Sequence, residues 1–317
     1  MAQAPAVTVI VPSYNQLRWL PLTLASIREQ GDVVAQTLVL DGGATDGTVA
    51  YLESLPPRPG FWWRSRRDGG VAQAVNEGLE RTTSPLCAIQ SSDDEFTPGA
   101  LSAAVAVLEA NPQAAVAYAD AQYIDADGRL LGRTNVGAYS YDDLLMKRTF
   151  VMQSSAVFRT EAAREVGGFR PERGYVCDSE MWLRIGRKHP LVRAEGVWSR
   201  YRLHEEQRDA QAARIQREWW AMIQALRPEL TAREWRHAKV GAYLTEHRYG
   251  DRFGWRRACA LWRALLLEPS VLGWPEFPRG DLLLPARWVG SRVLRALGLR
   301  GRGGPAAAAP ERVGRTP

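Results

Sequence analysis

Cysteine is scarce in this chain. Cys87, Cys177 and Cys259 are the only three in 317 residues. Their number is odd, their spacing is wide, and no Cys-x-x-Cys pair occurs. That argues against a disulfide framework or a cysteine-held zinc site and leads us to expect a reducing, cytoplasmic compartment. Also missing is any uncharged apolar stretch of about 18 residues, so no transmembrane helix is expected. The opening Met1-Ala2-Gln3-Ala4-Pro5 carries no basic residue before a strand-like segment, so no signal peptide is expected. There is no internal repeat. No RNA- or DNA-binding motif accompanies the arginines, so nucleic acid is not an expected partner.

What is present is enough apolar residue, 45%, for a packed core of one large or two modest domains. The net charge of +6 is unevenly spread. Residues 206–317 hold 20 Lys and Arg, almost all Arg, against 11 Asp and Glu, a net of +9. That leaves −3 for the first 205 residues. The basic excess would suit an anionic surface partner for the C-terminal part.

The first two-thirds alternate strand and helix signals. Val7–Val11, Leu38–Leu40, Phe61–Trp63 and Leu86–Ile89 read as buried strands. Between and after them, helices are predicted over Leu17–Gln30, from a cap at Asp46 through Leu52, over Val71–Leu79, and from Thr97 as N-cap with Pro98 at N1 through Leu108. This order predicts an α/β fold with a parallel sheet and helices on both faces, with ligands beyond the C-terminal strand ends. Ser13-Tyr14-Asn15, Asp41-Gly42-Gly43, Asp68-Gly69-Gly70 and Asp93-Asp94 all fall at or just beyond such ends. Further strands are expected at Val116–Tyr118, Tyr123–Ile124, Ser155–Phe158 and Val192–Leu203, with a helix over Asp178–Arg187.

The run Ser92-Asp93-Asp94-Glu95 is the densest chemical signal. Adjacent carboxylates at a strand end repel one another unless a cation or ligand neutralises them. Hard oxygen ligands suit Mg²⁺ or Mn²⁺, usually with substrate phosphates completing the shell. Acids before a helix also suit its N-terminal dipole, which is the competing reading.

Taken in order, the segments Thr8 to Asn15, Leu40 to Thr48, Asp68-Gly69-Gly70 with Asn76-Glu77-Gly78, Ser92-Asp93-Asp94, Asp178 to Arg184 and Tyr201 to His204 resemble the family 2 glycosyltransferases of the GT-A fold. The resemblance spans about residues 7–205. It implies a mixed, mostly parallel sheet in a catalytic domain over 1–205. A helical extension over 206–300 and a Gly/Ala/Pro/Arg-biased tail over 301–317 are expected to follow. The resemblance further implies that Pro12 and Tyr14 meet a nucleobase and that Asp41 accepts the N3–H of a uracil-type base. Asp68 and Gly69 would lie near base and ribose, and Asp93 near the ribose or a metal-bound water. Asp94 would bind Mn²⁺ or Mg²⁺, with His204 completing the metal site or touching the diphosphate. Asp178 would be the catalytic base, with Glu180 as the alternative. Locally, Asp178 reads equally well as a helix N-cap. Trp182 and Arg184 read as packing and an ion pair, and Glu95 as a helix-start acid.

The implied activity is inverting, metal-dependent transfer of a sugar from a UDP- or dTDP-linked donor to an acceptor hydroxyl. The acceptor would be a glycan or glycolipid of cell-surface biosynthesis. The alternative is a catalytically silent nucleotide-sugar-binding protein of a glycan assembly complex. The Gln-x-x-Arg-Trp motif of processive synthases is missing, which favours single additions. In the C-terminal part, Trp219, Trp220, Ile223 and Leu226 mark one helix face. Residues 282–300 read as a basic amphipathic helix that would suit an anionic inner-membrane surface, or else pack with a solvated basic face.

Overall fold

The computed structural model describes residues 6–205, 212–249, 254–275 and 277–283. The chain divides into two compact units, Met1–Tyr141 with Thr149–Gln207, and Asp142–Arg148 with Arg208–Pro317. The second unit thus takes in a short segment from the middle of the chain, which the sequence boundary at 205 did not anticipate.

The first unit opens with β1 (Val7–Ser13), α1 (Leu20–Arg28), β2 (Val34–Asp41), α2 (Thr48–Ser54), β3 (Phe61–Ser65), α3 (Val71–Arg81) and β4 (Leu86–Ile89). It continues with β5 (Glu95–Phe96), α4 (Ala100–Ala110), β6 (Val116–Ile124) and β7 (Leu130–Arg133). After α5 (Tyr141–Leu145) come β8 (Ala156–Arg159), α6 (Thr160–Glu165), α7 (Cys177–Lys188) and β9 (Leu191–Arg202).

One nine-stranded sheet runs β3-β2-β1-β4-β8-β6-β9-β5, with β7 paired to β6. Pairing is parallel at β3/β2, β2/β1, β1/β4 and β6/β9, and these pairs are the longest. β8 breaks the pattern, running antiparallel to both β4 and β6. The sheet is therefore mixed. The βα alternation holds from β1 to β4, and after it the short β5 precedes α4 and β6 joins the sheet beyond β8.

The strands read as apolar because both faces are covered. Every residue of β4 is buried, as is β1 apart from Pro12. Val9, Val11, Leu24, Ile27, Val39, Leu101, Val105, Val157 and Trp198 form one continuous core. α3 lies so close to β1 that a Cβ on Gly78 would stand 2.6 Å from Ile10 Cγ2.

The predicted caps are corrected. Thr97 does not cap α4: its hydroxyl donates to the Val197 carbonyl at 2.6 Å, and the helix starts after Gly99, whose φ is 73°. Nor is Asp178 an N-cap, since Val176 holds that position and the helix begins at Cys177. Asp46 lies one position before the N-cap of α2, which is Gly47 (φ 95°), yet its Oδ1 still accepts from the Thr48 amide (3.1 Å) and hydroxyl (2.6 Å) at the helix start.

In the second unit, α8 (Ala212–Leu226), α9 (Ala232–Tyr249) and α10 (Gly254–Leu267) are helical as composition suggests. Trp219, Ile223 and Leu226 are buried. Met146, Val240, Leu261, Ala264, Val271, Trp274 and Phe277 form its core. Segment 142–148 belongs here because Gly241 admits it: a Cβ there would lie 2.1 Å from the Leu145 carbonyl oxygen. Among the described residues no helix is long and apolar enough to cross a membrane. Residues 284–300 of the basic amphipathic stretch, and the tail 301–317, lie outside the described residues.

Candidate active site

Three loops leave the C-terminal ends of β1, β2 and β3 and are stitched together by short contacts. The Gly42 amide donates to Ser13 O (2.8 Å), the Thr45 amide to Asn15 Oδ1 (2.8 Å) and the Leu17 amide to Asp46 Oδ2 (2.8 Å). Asn15 takes a left-handed φ of 53°, which short polar side chains tolerate. This bend follows Tyr14, a residue 59% exposed. Pro12 sits beneath it, paired in register with Leu40.

Asp41 ends β2 and is fully buried. Its Oδ2 accepts from the Gly43 amide (3.0 Å), the Ala44 amide (2.9 Å) and the Ser65 hydroxyl (2.5 Å). Its Oδ1 has no hydrogen-bond partner. Asp68, in the loop after β3, is held at both carboxylate oxygens. Its Oδ2 receives Arg64 Nη1 (2.9 Å), and its Oδ1 receives the Gly70 amide (2.8 Å). Gly69 is held too, its amide donating to Gln73 Oε1 (2.8 Å). A Cβ on Gly42 would stand 3.3 Å from the Tyr14 ring and 3.5 Å from Asp68 Oδ1. Tyr14 and Asp68 therefore approach each other across Gly42, the residue that follows Asp41.

A second group forms beyond β4. His204, just after β9, places Nε2 3.0 Å from Asp93 Oδ2. Its side chain is 3% exposed and its Nδ1 has no hydrogen-bond partner. The Trp19 ring stacks on it with centroids 4.2 Å apart, and the Trp19 indole is anchored to Ala126 O at 3.1 Å. Arg202, 1% exposed, braces the same turn: its Nε donates to Asp93 O (2.9 Å) and its Nη2 pairs with Glu95 Oε1.

Asp93 and Asp94 are held by different contacts. Asp94 is buried, with its Oδ1 accepting the Arg202 amide at 2.8 Å. That oxygen ties the turn to β9, while the Asp93 carboxylate faces the histidine. Glu95 is no helix-start acid either, because it lies in β5 and pairs with Arg202 and Arg200.

Asp178, half-buried, is the second residue of α7. Glu180, one turn into the helix, is withdrawn from chemistry: it is buried and paired with Arg184 (2.5 Å) and Arg170 (3.1 Å). Trp182 packs edge-on against Phe158, and Arg184 holds Glu180, as their sequence reading suggested. Arg64, Trp19 and Arg202 went unassigned in the sequence. Arg64 left one trace, an arginine at the end of the aromatic run of β3.

The Asp93–His204 pair is the place where a divalent cation would fit. The carboxylate suits Mn²⁺ or Mg²⁺, while the imidazole beside it suits a transition-metal ion better than Mg²⁺. Among the described residues no group of three or more His, Cys, Asp or Glu could hold a metal alone. A cation held there would need further ligands, such as water or phosphate oxygens, to complete its shell.

The model of the glycosyl transferase family 2 matches residues 8–167, half of the chain. The chain belongs to glycosyltransferase family 2. An uncharacterized glycosyltransferase of Mycobacterium tuberculosis is 30% identical over 192 residues, covering 58% of this chain and 70% of that one. A PGL/p-HBAD biosynthesis glycosyltransferase of Mycobacterium bovis is 27% identical over 157 residues, 48% and 58% of the two chains. Staphylococcus aureus TarS in complex with UDP-GlcNAc superimposes with a TM-score of 0.65 at 14% identity, covering 94% and 93%. The mannosyltransferase PcManGT of Pyrobaculum calidifontis, solved with GDP-Man and Mn²⁺, gives 0.61 at 19%, covering 94% and 89%. These likenesses are of fold, and the fold is GT-A. A family 2 member with this architecture is a glycosyltransferase.

Proposed function

We propose that this glycosyltransferase moves a sugar from a UDP- or dTDP-linked donor to an acceptor hydroxyl with inversion. The observation that carries the reading is Asp41: fully buried, one carboxylate oxygen satisfied three times over, the other without a partner. A buried acceptor left unpaired costs about 1–3 kcal/mol, so it points to a donor that arrives with the ligand. The imide N–H of uracil or thymine supplies one. The exposed Tyr14 ring beside it gives the base a face to lie on, and Asp68 meets the ribose.

Asp93 and His204 would hold the divalent cation, which offsets charge growing on the departing diphosphate. Asp178 takes the proton of the acceptor hydroxyl as its oxygen attacks the anomeric carbon from the side opposite the diphosphate. A single attack with one base inverts that carbon. Acceptors of glycan or glycolipid biosynthesis are in keeping with a mycobacterial relative named for PGL/p-HBAD biosynthesis. They agree with a peripheral place at the cytoplasmic face of a membrane.

A thermal-shift panel of UDP, dTDP and GDP with Mn²⁺ tests the reading. UDP or dTDP should raise Tm in proportion to RT ln(1 + [L]/Kd). A melting curve that none of the three moves would overturn it.

A further inference from the structure

We infer that Arg64, held by Glu77, is the positioning residue of the nucleoside half of this site, setting the Asp41 turn and Asp68 in register with each other. The inference rests on the donor reading above. Arg64 is the fourth residue of β3, beside Leu40 in the sheet, with a side chain 11% exposed. Its Nη1 donates to the Asp41 backbone carbonyl (2.5 Å) and to Asp68 Oδ2 (2.9 Å). Its other edge, Nε and Nη2, grips Glu77 Oε2 on α3 at 3.0 and 2.8 Å. One planar guanidinium thus joins the end of β2, the loop after β3 and a helix. A lysine point charge cannot reproduce that fork.

Glu77 is itself fixed. Besides Arg64 it receives Arg66 (3.0 Å) and Arg81 (3.0 Å). Burial pushes its carboxyl pKa up, but the hydrogen bonds from Arg64, Arg81 and Arg66 and the Arg64 charge outweigh this. Its pKa is held below the ordinary range, and it stays ionised. The Arg66 amide also donates to Asp41 O (3.1 Å), so the carbonyl that Arg64 grips is doubly fixed.

Fold stability alone gives little reason for this cluster, because a largely buried ion pair is often no better than an apolar pair of equal volume. Its selective value lies in what it holds. Arg64 fixes the backbone of the residue whose Oδ1 is unpartnered, and one oxygen of the carboxylate across Gly42 from Tyr14. A shift of a few tenths of an ångström there would misalign recognition of the base without touching the diphosphate end.

The test compares wild type, Arg64→Lys and Glu77→Gln by titration calorimetry with UDP, GDP and inorganic pyrophosphate, all with Mn²⁺, beside the melting temperature of the ligand-free protein. Arg64→Lys keeps the charge, so neither carboxylate is left facing an empty site. Both variants should raise the UDP Kd roughly tenfold and shrink the preference for UDP over GDP. Pyrophosphate binding should hold, and Tm should move by a few degrees in Arg64→Lys and by more in Glu77→Gln, which leaves the arginines without their anion. An unchanged UDP Kd and UDP/GDP ratio overturns the inference. So does an equal loss for all three ligands, the mark of a general structural role. A wild-type protein that binds neither nucleotide removes the donor reading, and this inference with it.

Discussion

Nε2 of His204 lies 3.0 Å from Oδ2 of Asp93, across 111 residues of chain, while the adjacent Asp94 gives an oxygen to the Arg202 amide. The two aspartates therefore have separable jobs. Asp93→Ala and His204→Ala should each cut Mn²⁺-dependent UDP binding by tenfold or more, roughly the cost of losing a metal contact. Asp94→Ala should instead cost about 1–3 kcal/mol of stability, since it strands a buried amide. Calorimetry with and without Mn²⁺, beside urea unfolding, separates the two. An Asp93→Ala protein with undiminished Mn²⁺ dependence would refute the assignment.

Asp178 and Glu180 separate in the same way. Asp178→Asn keeps the shape of the helix start and removes the base, so transfer should fall by about 10²–10⁴ with UDP affinity retained. Glu180→Gln leaves Arg184 and Arg170 without their anionic partner and should register as lost stability. Single-turnover transfer assays of both variants decide. Full turnover in Asp178→Asn would move the base elsewhere.

The division between legible and illegible features follows sequence distance. Strand ends, the residues clustered there and the helix faces were readable because each depends on neighbours within a few positions. The approach of Tyr14 and Asp68 across Gly42 followed from topology, since parallel strands deliver their ends to one side. The orientation of Asp93 against Asp94 was not readable, because it is set by β9, which arrives about a hundred residues later. The same strand took the Thr97 hydroxyl and the Glu95 carboxylate away from the helix-start roles their local context suggested. Arg64 was hidden for a related reason: its partners come from β2, the loop after β3 and α3.

Gly78 gives a packing prediction independent of chemistry. A Cβ there would meet Ile10 Cγ2 at 2.6 Å and its Cδ1 at 2.9 Å, too close for either to be kept in place. Alanine gains up to ~1 kcal/mol in helix propensity, but overpacking a core costs about 1–3 kcal/mol. Gly78→Ala should thus be destabilising. Adding Ile10→Ala should cost less than the two single changes summed, because the space it opens accepts the new methyl. Strict additivity in urea unfolding would deny the contact.

The second unit carries a pH dependence of its own. His247 is buried, its Nδ1 has no hydrogen-bond partner, and its Nε2 lies 3.3 Å from Asp281 Oδ2. Burial, with Arg257 and Arg248 nearby, pushes its pKa down to about 4 from 6.5, against the pull of Asp281 toward the imidazolium. A histidine whose folded pKa lies below its unfolded one binds its proton first in the unfolded chain. Its stabilising contribution is therefore complete above pH 6.5 and drains away as the pH falls toward 4. At about 1.4 kcal/mol per unit, the full loss approaches roughly 3 kcal/mol. Hydrogen exchange along α9, corrected for intrinsic rates, should show protection falling between pH 6.5 and 5. His247→Leu, which cannot titrate, should flatten that slope. Equal slopes in the two proteins would mean that other groups set the acid sensitivity of this helix.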